Sequence, residues 1–265
     1  MVSWSGHIVP FIVTVALWFV ATGLIAWADN RERATFSKSL MVGSLVGIGG
    51  LVVILIASLS VEVWAVYLAF IGALMVWGWH ELAFLTGAAA GPRRGLADPG
   101  LTGLARFRQA AATVMHHEVA LAVTGLLLIS LSWDVPNQIG AMVFVLMFAM
   151  RLISKINLFI GVPNTSAEML PEHLSYLKSY FGPRRLTLTL VLSIAGIAAA
   201  AAWFAALALA APAGSAAMVG ASLMATLALL GVLEHLFLAL PFRDGMLWGW
   251  ALPQRRPAGA RRERP

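Results

Sequence analysis

The sequence predicts an all-α integral membrane protein: one bundle of about seven transmembrane helices, with the N-terminus outside and the C-terminus in the cytoplasm. Three observations predict it. Of the 265 residues, 60% are hydrophobic and only 11% charged, whereas a soluble domain carries about 25% charged residues. Seven apolar runs approach or exceed the roughly 20 residues that a helix needs to cross a bilayer. All 18 Lys and Arg residues fall in, or toward, one alternating set of loops, as positive-inside sorting requires.

The spans are expected near residues 8–28, 39–59, 63–85, 111–133, 137–159, 186–211 and 215–240. The fourth has a short apolar core, but Leu104, Phe107, Ala111, Val114 and Met115 recur at helical spacing ahead of it. That stretch is either an interfacial lead-in or an extension of the span. Arg31, Arg33 and Lys38 follow the first span, and Arg93, Arg94, Arg106 and Arg108 the third. Lys178, Arg184 and Arg185 follow the fifth, and six further arginines follow the seventh. Arg151 and Lys155 lie toward the same side. The intervening loops have none, so an odd number of spans places the N-terminus outside. Gly91-Pro92, Gly182-Pro183, Pro136-Asn137 and Pro212 punctuate the loops. The first seven residues contain neither Lys nor Arg, and the first run is long enough to span, so no cleavable signal is expected.

The formal charge of +6 does not indicate a nucleic-acid partner, because the basic residues sit between apolar spans and build no polar face. With no cysteine, disulfides and thiolate metal sites are excluded. Trp4, Trp64, Trp133, Trp248 and Trp250 fall near span ends and are expected as interfacial anchors. Gly47, Gly49, Gly50 and the alanine run 198–202 are expected to be close-packing helix surfaces. Residues 251–265 form a basic, Pro-rich tail expected to be disordered.

Ionisable groups inside spans are costly and mark functional sites. Five of the six histidines lie beside acids, as His80-Glu81, His116-His117-Glu118, Glu172-His173 and Glu234-His235. The topology puts all four groups at one depth on the cytoplasmic side. Imidazole and carboxylate are the ligand set for iron, zinc or manganese when sulfur is absent. His80, Glu81, His116, His117, Glu118, His173, Glu234 and His235 are therefore the candidate metal ligands, and histidine ligation of a tetrapyrrole is the rival use of the same residues. Neighbours on a helix point roughly 100° apart, so within each pair one member would bind and the other support it. The Glu-x-x-His spacing of helical di-iron bundles is absent from the spans. Arg151, Lys155, Asn157 and Glu172 are the candidate ligand-binding residues. Arg151 lies too deep to serve only as an orientation signal, and is expected to pair with a glutamate of the cluster or with an anionic ligand group. The cytoplasmic loop 160–185 carries a short amphipathic helix, with Leu174, Leu177 and Phe181 apolar, that is expected to lie at the interface and cover the cavity.

Trp77-Gly78-Trp79-His80-Glu81, His116-His117-Glu118, Lys155-Ile156-Asn157-Leu158-Phe159 leading to Gly161-Val162-Pro163-Asn164, His173-Leu174-Ser175-Tyr176-Leu177, and Leu233-Glu234-His235 before Leu240-Pro241 resemble the PuhE family of photosynthetic complex assembly proteins of purple bacteria. The resemblance runs from the first span to about Trp250. It implies a multi-pass protein of the bacterial cytoplasmic (inner) membrane that assists reaction-centre assembly or modulates bacteriochlorophyll supply, with reaction-centre subunits or pigment-synthesis proteins as partners. It transfers no catalytic residue. The competing readings are a membrane metalloenzyme of non-haem iron oxygenase type, acting on a tetrapyrrole or lipid, and a proton-coupled transporter. Broken helices that would favour transport are missing.

Overall fold

A computed structural model describes residues 2–165, 167, 170–242 and 244–252. Among them, seven helices are long and apolar enough to cross a membrane, which makes the chain a multi-pass membrane protein. These are α1 (Val9–Asp29), α2 (Phe36–Ser58), α3 (Val63–Leu85), α4 (Gly103–Leu131), α5 (Ile139–Ile160), α6 (Leu188–Ala210) and α7 (Ala216–Ala239). Their limits follow local chemistry. Ser215 and Thr187 cap α7 and α6 by accepting from the Met218 and Leu190 amides, and each satisfies one of the orphan donors of a helix start. Gly161 ends α5 at φ +131°, a conformation that favours glycine.

α3 and α7 form the centre, with 56% and 61% of their most apolar 18-residue stretches enclosed, whereas only 11% of that of α6 is. The core joins Phe70, Val76 and Trp77 of α3 to Phe144 of α5 and to Leu223, Met224 and Leu227 of α7. α2 meets α3 through glycine. A Cβ added to Gly50 would stand 2.7 Å from the Gly72 carbonyl oxygen, and one added to Gly72 would stand 2.8 Å from that of Gly50. In lipid, where apolar burial drives little helix association, such close backbone approach supplies the packing.

Five expectations change. The stretch ahead of the fourth span is continuous helix, so α4 starts at Gly103, because its apolar periodicity never breaks. Ala198, Ala199 and Ala202 are exposed, so the alanine run does not form a buried packing surface. Trp248 is no surface anchor: it is 3% exposed, packs edge-on against Trp18 and stacked on Phe19, and donates to the Phe19 carbonyl at 2.9 Å. Ala251 is buried with it, so the ordered chain runs past the expected start of the tail. The loop helix Glu172–Tyr180 is 3₁₀, which puts residues three apart on one face. Leu174, Leu177 and Tyr180 are therefore the buried set, in place of 174, 177 and 181. The rest of the tail, with Ser166 and Glu168 of the same loop, lies outside the described residues.

Candidate functional site: an acid-walled cavity

A cavity of about 740 Å³ opens between α1, α3, α4, α5 and α7, within the roughly 300–1,000 Å³ typical of small-molecule sites. Most of its wall is apolar, with Phe70 and Trp77 from α3, Met147 and Met150 from α5, and Leu227 and Leu230 from α7. Six charged side chains interrupt it: Asp29, Glu81, Glu118, Arg151, Lys155 and Glu234.

These charges are arranged in pairs. Glu81 is 5% exposed, and its Oε2 accepts from Arg151 Nη2 at 3.1 Å. Its Oε1 stands 3.9 Å from His117 Nε2 and accepts no hydrogen bond. The Arg151 side chain is still 41% exposed, so its guanidinium faces the cavity while Glu81 holds it. Lys155 is ion-paired with Glu118. Its ammonium lies 5.2 Å from the Phe84 ring centre, and the His117 ring lies 4.7 Å from the same ring. Glu234 Oε1 accepts from Trp18 Nε1 at 2.9 Å. Asp29, 3% exposed, accepts from Asn30 Nδ2 at 2.7 Å. Arg151 feels Glu81, Glu234 and Glu118 together. Taking an ion out of water costs several kcal/mol, which only close pairing offsets. The two cations are so matched, leaving Asp29 and Glu234 with no basic side chain in an ion pair among the described residues.

The His-Glu pairs split as helical geometry requires. Glu81, Glu118 and Glu234 line the cavity, while their neighbours His80, His117 and His235 do not. His80 Nε2 meets Thr124 Oγ1 at 3.0 Å. His235 Nδ1 donates to the Gly231 carbonyl of its own helix at 2.8 Å. His116 Nδ1 donates to the Ala90 carbonyl at 2.7 Å and fastens the loop after α3 to α4. Among the described residues, no three His, Asp or Glu side chains converge as a metal-holding group. Asn157 is fully buried and donates to Ser193 Oγ at 2.9 Å and to the Ile153 carbonyl at 3.1 Å, which ties α5 to α6. Glu172 is exposed on the loop helix. Sequence reasoning passed over Asp29 and Trp18. A tryptophan at mid-span, away from either interface, was the available signal for Trp18; Asp29 looked like an ordinary loop charge beside Asn30 and Arg31.

The loop helix closes one end of the cavity. Leu170, Leu177, Tyr180 and Phe181 contribute to its lining, and Leu174 and Leu177 pack on Phe84. Arg106 pins it by donating to the Tyr180 carbonyl at 2.8 Å and more weakly to those of Phe159 and Phe181. Tyr180 donates to the Gly95 carbonyl at 2.9 Å and accepts from Arg93 at 2.7 Å. His173 Nε2 donates to the Leu85 carbonyl at 2.7 Å. Burial pushes this imidazole below its ordinary value of 6.5, Arg33 pushes the same way, and the Leu85 hydrogen bond opposes them. A depressed imidazole pKa means that the undocked segment binds protons more readily. Docking of the loop is therefore fully supported above about pH 6.5 and weakens as pH falls below it. The protection of the amides over residues 172–180, taken against the intrinsic exchange rate at each pH, should fall between pH 7.5 and pH 5.5, and His173→Gln should abolish that fall; protection unchanged across this range would refute it.

The model of a family described as "Protein of unknown function (DUF3623)" matches residues 4–259. An "Uncharacterized 30.4 kDa protein in puhA 5'region" of Rhodobacter capsulatus is 34% identical over 247 residues, covering 91% of this chain and 89% of that protein. No solved structure matches.

Proposed function

We propose, for a chain that belongs to the DUF3623 family, a role in assembling the photosynthetic reaction centre or in supplying bacteriochlorophyll to it, the role implied by its PuhE-like motifs. The observation that carries this reading is the relative in the puhA 5′ region, a photosynthesis gene region. The cavity supplies the means: an apolar slot with a hydrogen-bonding charged wall suits an amphiphilic ligand such as a tetrapyrrole pigment. The reading rests on the acids, because the cavity-lining members of the pairs are Glu81, Glu118 and Glu234 and not their histidine neighbours. In a photosynthetic host, deleting the gene should lower reaction centres per cell several-fold, with membrane growth in the dark unaffected. Unchanged reaction-centre and pigment content would sink the assignment.

The same reading places the protein in the inner membrane with its basic loops, and so the lid, facing the cytoplasm. The one-sided distribution of all 18 basic residues supports it. The chain has no cysteine, so single cysteines report sidedness cleanly. Arg184→Cys should resist a membrane-impermeant maleimide in intact cells, and Asp134→Cys should react. The reverse pattern would invert the topology.

A further inference from the structure

The cavity has a direction. On α1 its wall includes Thr14, Trp18, Ala21, Ile25 and Asp29, one face of the helix over fifteen residues, which spans about 22 Å at 1.5 Å per residue. Its charges lie toward one end of this slot, where α3, α5 and α7 finish. There the wall has four carboxylates, Asp29, Glu81, Glu118 and Glu234, against two cations, Arg151 and Lys155, and both cations are already ion-paired. Arg151 Nε is a donor without a partner, but the larger unused capacity at this end is that of carboxylate acceptors. Glu81 is 5% exposed, lines the cavity, and has an Oε1 without a hydrogen bond; Glu118 Oε2 is likewise unpartnered.

From this arrangement we infer that the slot takes a long-chain amphiphile whose head group carries no net negative charge and offers hydrogen-bond donors or a positive centre to the carboxylates, with its hydrocarbon chain lying along α1. An anionic head would meet a low-dielectric wall in which acidic side chains outnumber basic ones four to two and both cations are already engaged, and like charges repel strongly there. A chainless head would leave most of the apolar slot unfilled. The inference rests on the reading of the cavity as a ligand site and adds the class of ligand. Two sources share this chemistry: a zwitterionic aminophospholipid, through its ammonium, and a metal-bearing pigment whose carboxyl is esterified with a long isoprenoid alcohol, through its central metal.

The test uses the full chain in nanodiscs, with three probes of equal length: hexadecylamine, hexadecanol and hexadecanoate. The amine should bind at least ten-fold more tightly than the acid, with the alcohol between them. Asp29→Asn together with Glu234→Gln should collapse the amine-to-alcohol ratio toward one. Gly78→Phe should abolish binding of all three, because a Cβ at Gly78 meets nothing nearer than Ile25 Cδ1 at 3.7 Å and the ring would enter the slot. Preference for the acid would overturn the head-group inference and leave the cavity reading standing. Equal binding of amine, alcohol and acid would do the same. No binding of any probe would overturn both. Mass spectrometry of material extracted from wild type, and lost in Gly78→Phe, identifies the source: an aminophospholipid or an esterified pigment supports the inference, and a free carboxylic acid contradicts it.

Discussion

Replacing Arg151 with Met should cost about 3 kcal/mol of stability, because it strands the Glu81 carboxylate inside the bundle. Removing one partner of a buried ion pair leaves an uncompensated charge, at about 3–5 kcal/mol. The low end applies because the Arg151 side chain retains 41% exposure, whereas that of Glu81 has 6%. Lys155 does not rescue Glu81, being paired with Glu118. Adding Glu81→Gln should return most of the loss, since an uncharged amide needs no guanidinium. Thermal unfolding of the wild type, both single variants and the double variant completes the cycle. If Arg151→Met proves neutral, or the second change deepens the loss, the pair does not hold the cavity wall.

Gly161→Ala should be nearly as damaging, for a backbone reason. Gly161 ends α5 at φ +131°, where a side chain costs about 1–3 kcal/mol in strain. A Cβ there would also run into the Pro183 carbonyl oxygen, where the loop returns from the lid. The chain cannot shift cheaply, because the Gly161 amide donates to the Asn157 carbonyl and the Gly182 amide to that of Leu158. A loss of about 3 kcal/mol is expected, with easier proteolysis of the lid loop. Gly49→Ala is the control. Its Cβ would meet only Met75 Cε at 3.7 Å, so the helix-propensity gain of about 1 kcal/mol should leave that variant at least as stable as the wild type. Equal stability of Gly161→Ala and Gly49→Ala would refute the argument.

The spans were legible because length and apolar content suffice to define a membrane helix, and α3 starts and stops where its sequence predicts. The pairing of Arg151 was legible in kind, since a guanidinium that deep needs a carboxylate. Which member of each His-Glu pair faces the cavity was not. That depends on the rotation of α3, α4 and α7 about their axes, and neither apolar nor charged spacing fixes rotation in a helix that is hydrophobic all round. Asp29 was hidden for a related reason: it ends its helix among loop-like neighbours, and only the packing of α1 across the bundle brings it to the cavity. The 3₁₀ form of the loop helix was hidden because 174, 177, 180 and 181 are all apolar or aromatic, so the period could be read as three residues or as 3.6.

The central claim is that the cavity, and the ligand it holds, is what photosynthetic assembly uses. Complementation of the deletion strain with Gly78→Phe tests it most directly, with reaction centres per cell measured by absorbance and the level of the variant in membranes by immunoblot. The prediction is a variant that accumulates like the wild type, since the substituted site is open, yet leaves reaction centres as low as the deletion does. Full restoration of reaction centres by a blocked cavity would contradict the account.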